Sequence, residues 1–123
     1  MPAKKDINVV KGDTLVVPLT FSTLVNATTK APIDLTGSIL VFEATFAENT
    51  ITLVSNDPEP EENPTGTFQI LDAVAGKAEL VVRHNETETW PSGGVVYRIS
   101  RFIDGRKRTF MRGTLKIDGW PHA

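Results

Sequence analysis

The side chains that could do chemistry are few and scattered. The chain of 123 residues holds two histidines, His84 and His122, and no cysteine. A zinc centre needs three or four N, S or O ligands converging on one point, and neither histidine has a second histidine or a cysteine at ligand spacing. Oxygen donors are denser: Asn56, Asp57, Glu59, Glu61 and Glu62 fall in one short stretch. Their order lacks the EF-hand spacing that Ca²⁺ loops use, and the prolines among them hold the segment open. No serine stands in a nucleophile elbow, and no glycine run has the form of a phosphate-cradling or dinucleotide loop. These residues predict no enzyme, no metal site and no cofactor.

Two further groups of residues suggest binding. Trp90, Tyr97 and Trp120 are of the types that stack on sugar rings, which makes a carbohydrate-binding module the alternative reading. Trp90 and Tyr97, however, fall in apolar patterns that predict burial. Asn26-Ala27-Thr28 and Asn85-Glu86-Thr87 match the glycosylation pattern, but the start of the chain lacks the apolar core of a secretory signal, so no glycan is expected. The stronger concentration is cationic. Trp90 to Ile117 carries seven of the thirteen Lys and Arg residues against one carboxylate. The net charge of the whole chain is nonetheless -2, which argues against a surface built throughout for nucleic acid. No nucleic-acid-reading motif accompanies the basic stretch, so proteins are the expected partners.

The element that must position those cations is a β-hairpin. Runs rich in Val, Ile, Tyr, Phe and Thr flank Asp104-Gly105, where glycine supplies the positive φ of a tight turn. A two-residue loop would put Phe110 with Tyr97 and Ile99 and leave Met111, Leu115 and Ile117 on the opposite face, splitting the apolar set. A three-residue loop, Ile103-Asp104-Gly105, would instead gather Val95, Tyr97, Ile99, Met111, Leu115 and Ile117 on one face, with Tyr97 opposite Met111. Because a one-residue slip turns every side chain over, the buried face decides, and the three-residue loop is the expected register. It predicts an outer face holding Arg98, Phe102, Arg106, Arg108, Phe110, Arg112 and Lys116, with Arg98 across from Phe110 in cation-π distance. Arginine and aromatic residues together are the composition of an interface hot spot.

The remaining pattern is also β. Leu15, Val17, Leu19 and Phe21 alternate with Thr14, Val16, Pro18 and Thr20, which predicts a strand; because proline cannot donate a ladder hydrogen bond, that strand is expected to run along a sheet edge or to carry a bulge at Pro18. Ser38–Ala47 and Thr50–Val54 read as a hairpin, and Thr67–Leu71 and Lys77–Arg83 as two further strands. Asn26–Pro32 reads as a loop. Ser55–Gly66, with three prolines and four carboxylates, predicts an exposed acidic loop. Asn85–Trp90 reads as one helical turn capped by Asn85 and stopped by Pro91. Seven or eight short strands and no helix of useful length predict an all-β single domain, an antiparallel β-sandwich with a small barrel as the competing architecture. The expected bounds are an N-terminal arm at 1–6, a domain at 7–118 and a tail at 119–123. No apolar run approaches the roughly 18 residues of a membrane span, and the absence of cysteine suits the cytosol.

The order of turn motifs adds a resemblance. Lys11-Gly12-Asp13-Thr14, Pro32-Ile33-Asp34-Leu35-Thr36-Gly37, Ala75-Gly76-Lys77-Ala78-Glu79-Leu80, Trp90-Pro91-Ser92-Gly93, Tyr97, Asp104-Gly105 and Arg112-Gly113-Thr114-Leu115 occur in that sequence. Together they resemble the small immunoglobulin-like modules of tailed-bacteriophage virions, including domains of the baseplate upper-protein kind. The likeness spans residues 7–118, and Ile99 departs from it where a second aromatic usually follows the hairpin tyrosine. It implies an immunoglobulin-like, non-catalytic structural or assembly part of a virion tail, baseplate, neck or capsid. Such a part is made in the bacterial cytoplasm, present in multiple copies in a symmetric assembly, and held by contacts with other virion proteins. No catalytic residue carries over.

Overall fold

A computed structural model describes residues 3–24, 29–46, 49–57, 59 and 62–118. Eleven strands and one helical turn are formed among them: β1 (Ala3–Lys4), β2 (Ile7–Val10), β3 (Leu15–Thr20), β4 (Ser22–Leu24), β5 (Lys30–Pro32), β6 (Ile39–Thr45), β7 (Thr50–Val54), β8 (Gly66–Asp72), β9 (Lys77–Val82), α1 (His84–Thr87), β10 (Gly93–Ile103) and β11 (Arg106–Asp118). The larger sheet runs β1-β11-β10-β6-β7, with β2 also on β11; a second sheet is β3-β9-β8, and β4-β5 form a small separate hairpin. The chain is thus all-β with curled, mixed sheets, and β7 lies beside β8 so that the two main sheets approach a half-barrel. No helix among the described residues is long and apolar enough to cross a membrane.

One core lies between the main sheets because their strands alternate. Leu15, Val17 and Leu19 of β3 point inward with Ala78, Leu80 and Val82 of β9 and Phe68 of β8, against Leu40, Phe42 and Ala44 of β6 and Tyr97, Ile99, Met111, Leu115 and Ile117 of the closing pair. Pro18 faces away from this core on β3, which is an edge strand, as its missing N–H requires. Of the loop expected at Asn26–Pro32, Lys30–Pro32 forms β5, paired with β4 so that Ser22 lies opposite Pro32. The helical turn starts at His84, one residue before the expected cap. Asn85 is therefore inside it, and its amide donates to the Pro64 carbonyl instead (3.3 Å). Thr87, fully buried, fastens this turn to the β2-β3 corner: its hydroxyl donates to the Asp13 carbonyl (2.7 Å) and accepts from the Gly12 N–H (3.1 Å). Trp90 packs inward against Phe46, ring centroids 5.3 Å apart.

The β10-β11 ribbon differs from expectation in how it achieves its register. The loop has two residues, Asp104 (φ 52°) and Gly105 (φ 73°), with Ile103 opposite Arg106. Both central residues have positive φ, the mark of a type I′ turn. The register then shifts between Ser100, opposite Thr109, and Ile99, opposite Met111, leaving Phe110 as a bulge residue. The bulge does the work assigned to a longer loop, since it turns Met111, Leu115 and Ile117 to the buried face with Tyr97 and Ile99.

Among the described residues, the N-terminal strands supply the parallel pairing. Ala3 lies opposite Met111 and Ile7 opposite Leu115, so β1 and β2 keep one register along β11 across the break at Lys5-Asp6. Of the arm expected at 1–6, residues 3–6 are therefore laid along the chain's own sheet. Gly113 makes this possible, because a Cβ there would overlap the Lys5 carbonyl.

Candidate functional site

Paired residues on neighbouring strands project to the same side of a sheet, so the observed ladder decides which of the seven expected surface residues share a face. Arg98 is opposite Arg112, Phe102 opposite Lys107, and Gly94 opposite Lys116. Arg98, Phe102, Arg112 and Lys116 therefore lie on the outer face, joined by Lys107. Arg108 is opposite Arg101, and Arg101 is opposite the buried Leu40, which places Arg101, Arg108 and Arg106 on the other side of the ribbon, at its tip. Phe110 also leaves the outer face. Its ring lies 5.6 Å from that of the buried Phe21, and Arg101, rather than Arg98, stands over it at 5.6 Å. The bulge is the physical reason: it changes the parity of β11 on the tip side of Met111, so residues 106, 108 and 110 do not follow 112 and 116.

At one level across the sheet, Lys4 is opposite Arg112, Arg112 opposite Arg98, Arg98 opposite Glu43 and Glu43 opposite Thr52. Three cations thus stand abreast with a single carboxylate at the end of their row. Arg98 Nε donates to Glu43 Oε1 at 3.1 Å, and Lys107 Nζ approaches the same oxygen at 3.6 Å while lying 5.5 Å from the Phe102 ring. Glu43 is therefore shared by two cations. Neither Lys4 nor Arg112 has an ion pair among the described residues. The row lies in an open groove of about 760 Å³, flanked by Thr45, Val96, Thr109 and Thr114. Val96 is 64% exposed, an uncovered apolar side chain in the middle of this face.

Polar contacts of the N-terminal strand hold Lys4 in this row. The Tyr97 hydroxyl donates to the Lys5 carbonyl, the Lys5 N–H donates to the Arg112 carbonyl (3.0 Å), and the Thr114 N–H donates to Asp6 Oδ1 (3.2 Å). Lys116 Nζ lies 3.4 Å from Asp6 Oδ2. The Thr114 N–H, reinforced by Lys116, holds the Asp6 carboxyl below its ordinary range. Burial, with the Asp6 charge adding to it, pushes the Tyr97 phenol up to about 12.

The other candidate residues fall elsewhere. His84 is exposed in the helical turn. In the acidic loop, Asp57 accepts from the Glu59 N–H (2.9 Å) and from Asn63 Nδ2 (3.1 Å), so its oxygens serve the loop's own turns. No three His, Asp or Glu side chains converge among the described residues. Trp90 and Tyr97 are buried; Glu61, Trp120, His122, the Asn26 sequon and the tail at 119–123 lie outside the described residues. Glu43, Lys4 and Lys107 were not legible as site residues. Alternation within Ile39–Thr45 does put Glu43 on the outward side, but nothing local says that β6 pairs with β10 or that residues 3–4 return to β11.

Compared with known proteins by sequence, the chain matches no family model and no curated protein.

Proposed function

We propose that this chain is a non-catalytic, immunoglobulin-like β-sandwich module that works by protein-protein contact. Following the resemblance of its turn motifs, we assign it as a structural or assembly component of a tailed-phage virion, present in multiple copies. The observation that carries the contact reading is the cationic row Lys4-Arg112-Arg98 on an uncovered sheet face. Like charges placed directly opposite one another on a sheet disfavour the pairing, so a row of three, compensated by one carboxylate, is a feature that an acidic partner surface would relieve. Arg98 and Arg112 belong to a ribbon whose buried face is part of the core, so the backbone that carries these two cations is fixed in place. Such preorganisation lowers the cost of docking.

The test is incorporation. Arg98→Glu with Arg112→Glu changes two exposed side chains, so the monomer is expected to keep its circular dichroism spectrum and a cooperative unfolding transition, its midpoint lowered by the loss of the Arg98–Glu43 pair. Mass spectrometry of purified particles should show its copy number reduced at least tenfold relative to the unaltered chain. Incorporation at the unaltered level would overturn the reading.

A further inference from the structure

We propose that the occupant of the cationic row is a second copy of this chain, presenting its acidic loop between β7 and β8, so that copies join head to tail. The inference rests on the protein-contact reading above and names its partner. Charge complementarity argues for it: one face of the chain carries Lys4, Arg112 and Arg98 abreast, and one loop carries Asp57, Glu59 and Glu62. Each set is only partly compensated among the described residues: Glu43 pairs with Arg98 at one end of the row, and Asp57 is engaged within its own loop. Lys4, Arg112, Glu59 and Glu62 form no ion pair among the described residues, and no hydrogen bond or ion pair joins the loop to the row.

The described residues of the loop are also held for presentation. Besides the two bonds to Asp57, the Thr65 N–H donates to Asn63 Oδ1 (2.9 Å), so turns closed by side chains stiffen it at both ends. Glu59 and Glu62 are exposed. The receiving groove, about 760 Å³ and open, has room for carboxylate side chains, and its threonine hydroxyls can donate to them. In the head-to-tail arrangement each copy gives its loop to one neighbour and receives the loop of another on its row, a heterologous contact that repeats into a ring or a filament rather than stopping at a pair. Its strength should fall with ionic strength, since both partners are solvent-exposed.

Sedimentation of the full chain over a range of concentration and salt tests this. The expected result is association that weakens at least tenfold between low and physiological ionic strength. Arg98→Glu with Arg112→Glu should abolish it, and so should Glu59→Lys with Glu62→Lys. An equimolar mixture of the two variants should restore association, because each reversed surface then meets an opposite one. A chain that stays monomeric at every salt concentration overturns the inference, as do association indifferent to both charge reversals and a mixture that stays monomeric. If the chain is monomeric while the Arg98, Arg112 variant is still excluded from particles, only the choice of partner fails; normal incorporation of that variant defeats the contact reading itself.

Discussion

Tyr97 is the only tyrosine in the chain, and its hydroxyl joins the sheet interior to the Lys5 carbonyl of the N-terminal strand. Removing it leaves that carbonyl without its donor. Tyr97→Phe should therefore lower stability by about 1–2 kcal/mol, measured by chemical denaturation. The phenol also gives the fold an alkaline limit. Its ionisation is raised from 10 to about 12 in the folded chain, so the folded state favours the neutral phenol. That contribution is complete below pH 10 and is lost as the pH rises through about 12. Tyrosinate absorbance, free of overlap from any other tyrosine, should titrate near 12 in the native protein and near 10 in urea; a native midpoint near 10 would mean that the hydroxyl is not held.

The β10-β11 ribbon shows which element-level features can be read from residues and which cannot. Asp104-Gly105 marked the turn, and the apolar alternation of Tyr97, Ile99, Met111, Leu115 and Ile117 marked the buried face. The device reconciling them, a bulge at Phe110, left no local mark, because a bulge residue is specified by what it packs on. Here that is Phe21, eighty-nine positions away in sequence. The difference in register bears directly on the site. A three-residue loop kept all seven expected residues on one face, whereas the bulge sends Arg106, Arg108 and Phe110 to the other side. Deleting Phe110 tests this account. It would leave Thr109 opposite Ser100 and Met111 opposite Ile99 in a regular ladder, so the fold should survive with a loss of about 2 kcal/mol from the missing ring contact, and Met111 should stay buried. Global unfolding of the deletion variant would mean that the bulge is required for the ribbon to form.

For the whole molecule, the strands paired at the greatest sequence separation among the described residues are those near its two ends, with β1 and β2 on one edge of β11 and β10 on the other. Gly113→Ala should push the Lys5 carbonyl away, costing about 2 kcal/mol. Amide hydrogen exchange should accelerate at residues 3–10 while β6 and β10 keep their protection, whereas uniform acceleration would show that the edge is not a separate unit. The alternating strands, the edge position of Pro18 and the acidic loop were legible because each depends on near neighbours. The half-barrel curl and the parallel N-terminal edge were not, because they depend on which strands meet. That parallel edge also dictates an order of events during synthesis. Ile7 and Val9 are made long before β11, the strand they pair with. A growing chain must carry these two apolar residues without that strand until β11 has emerged, and closing so long a loop is a slow step in folding.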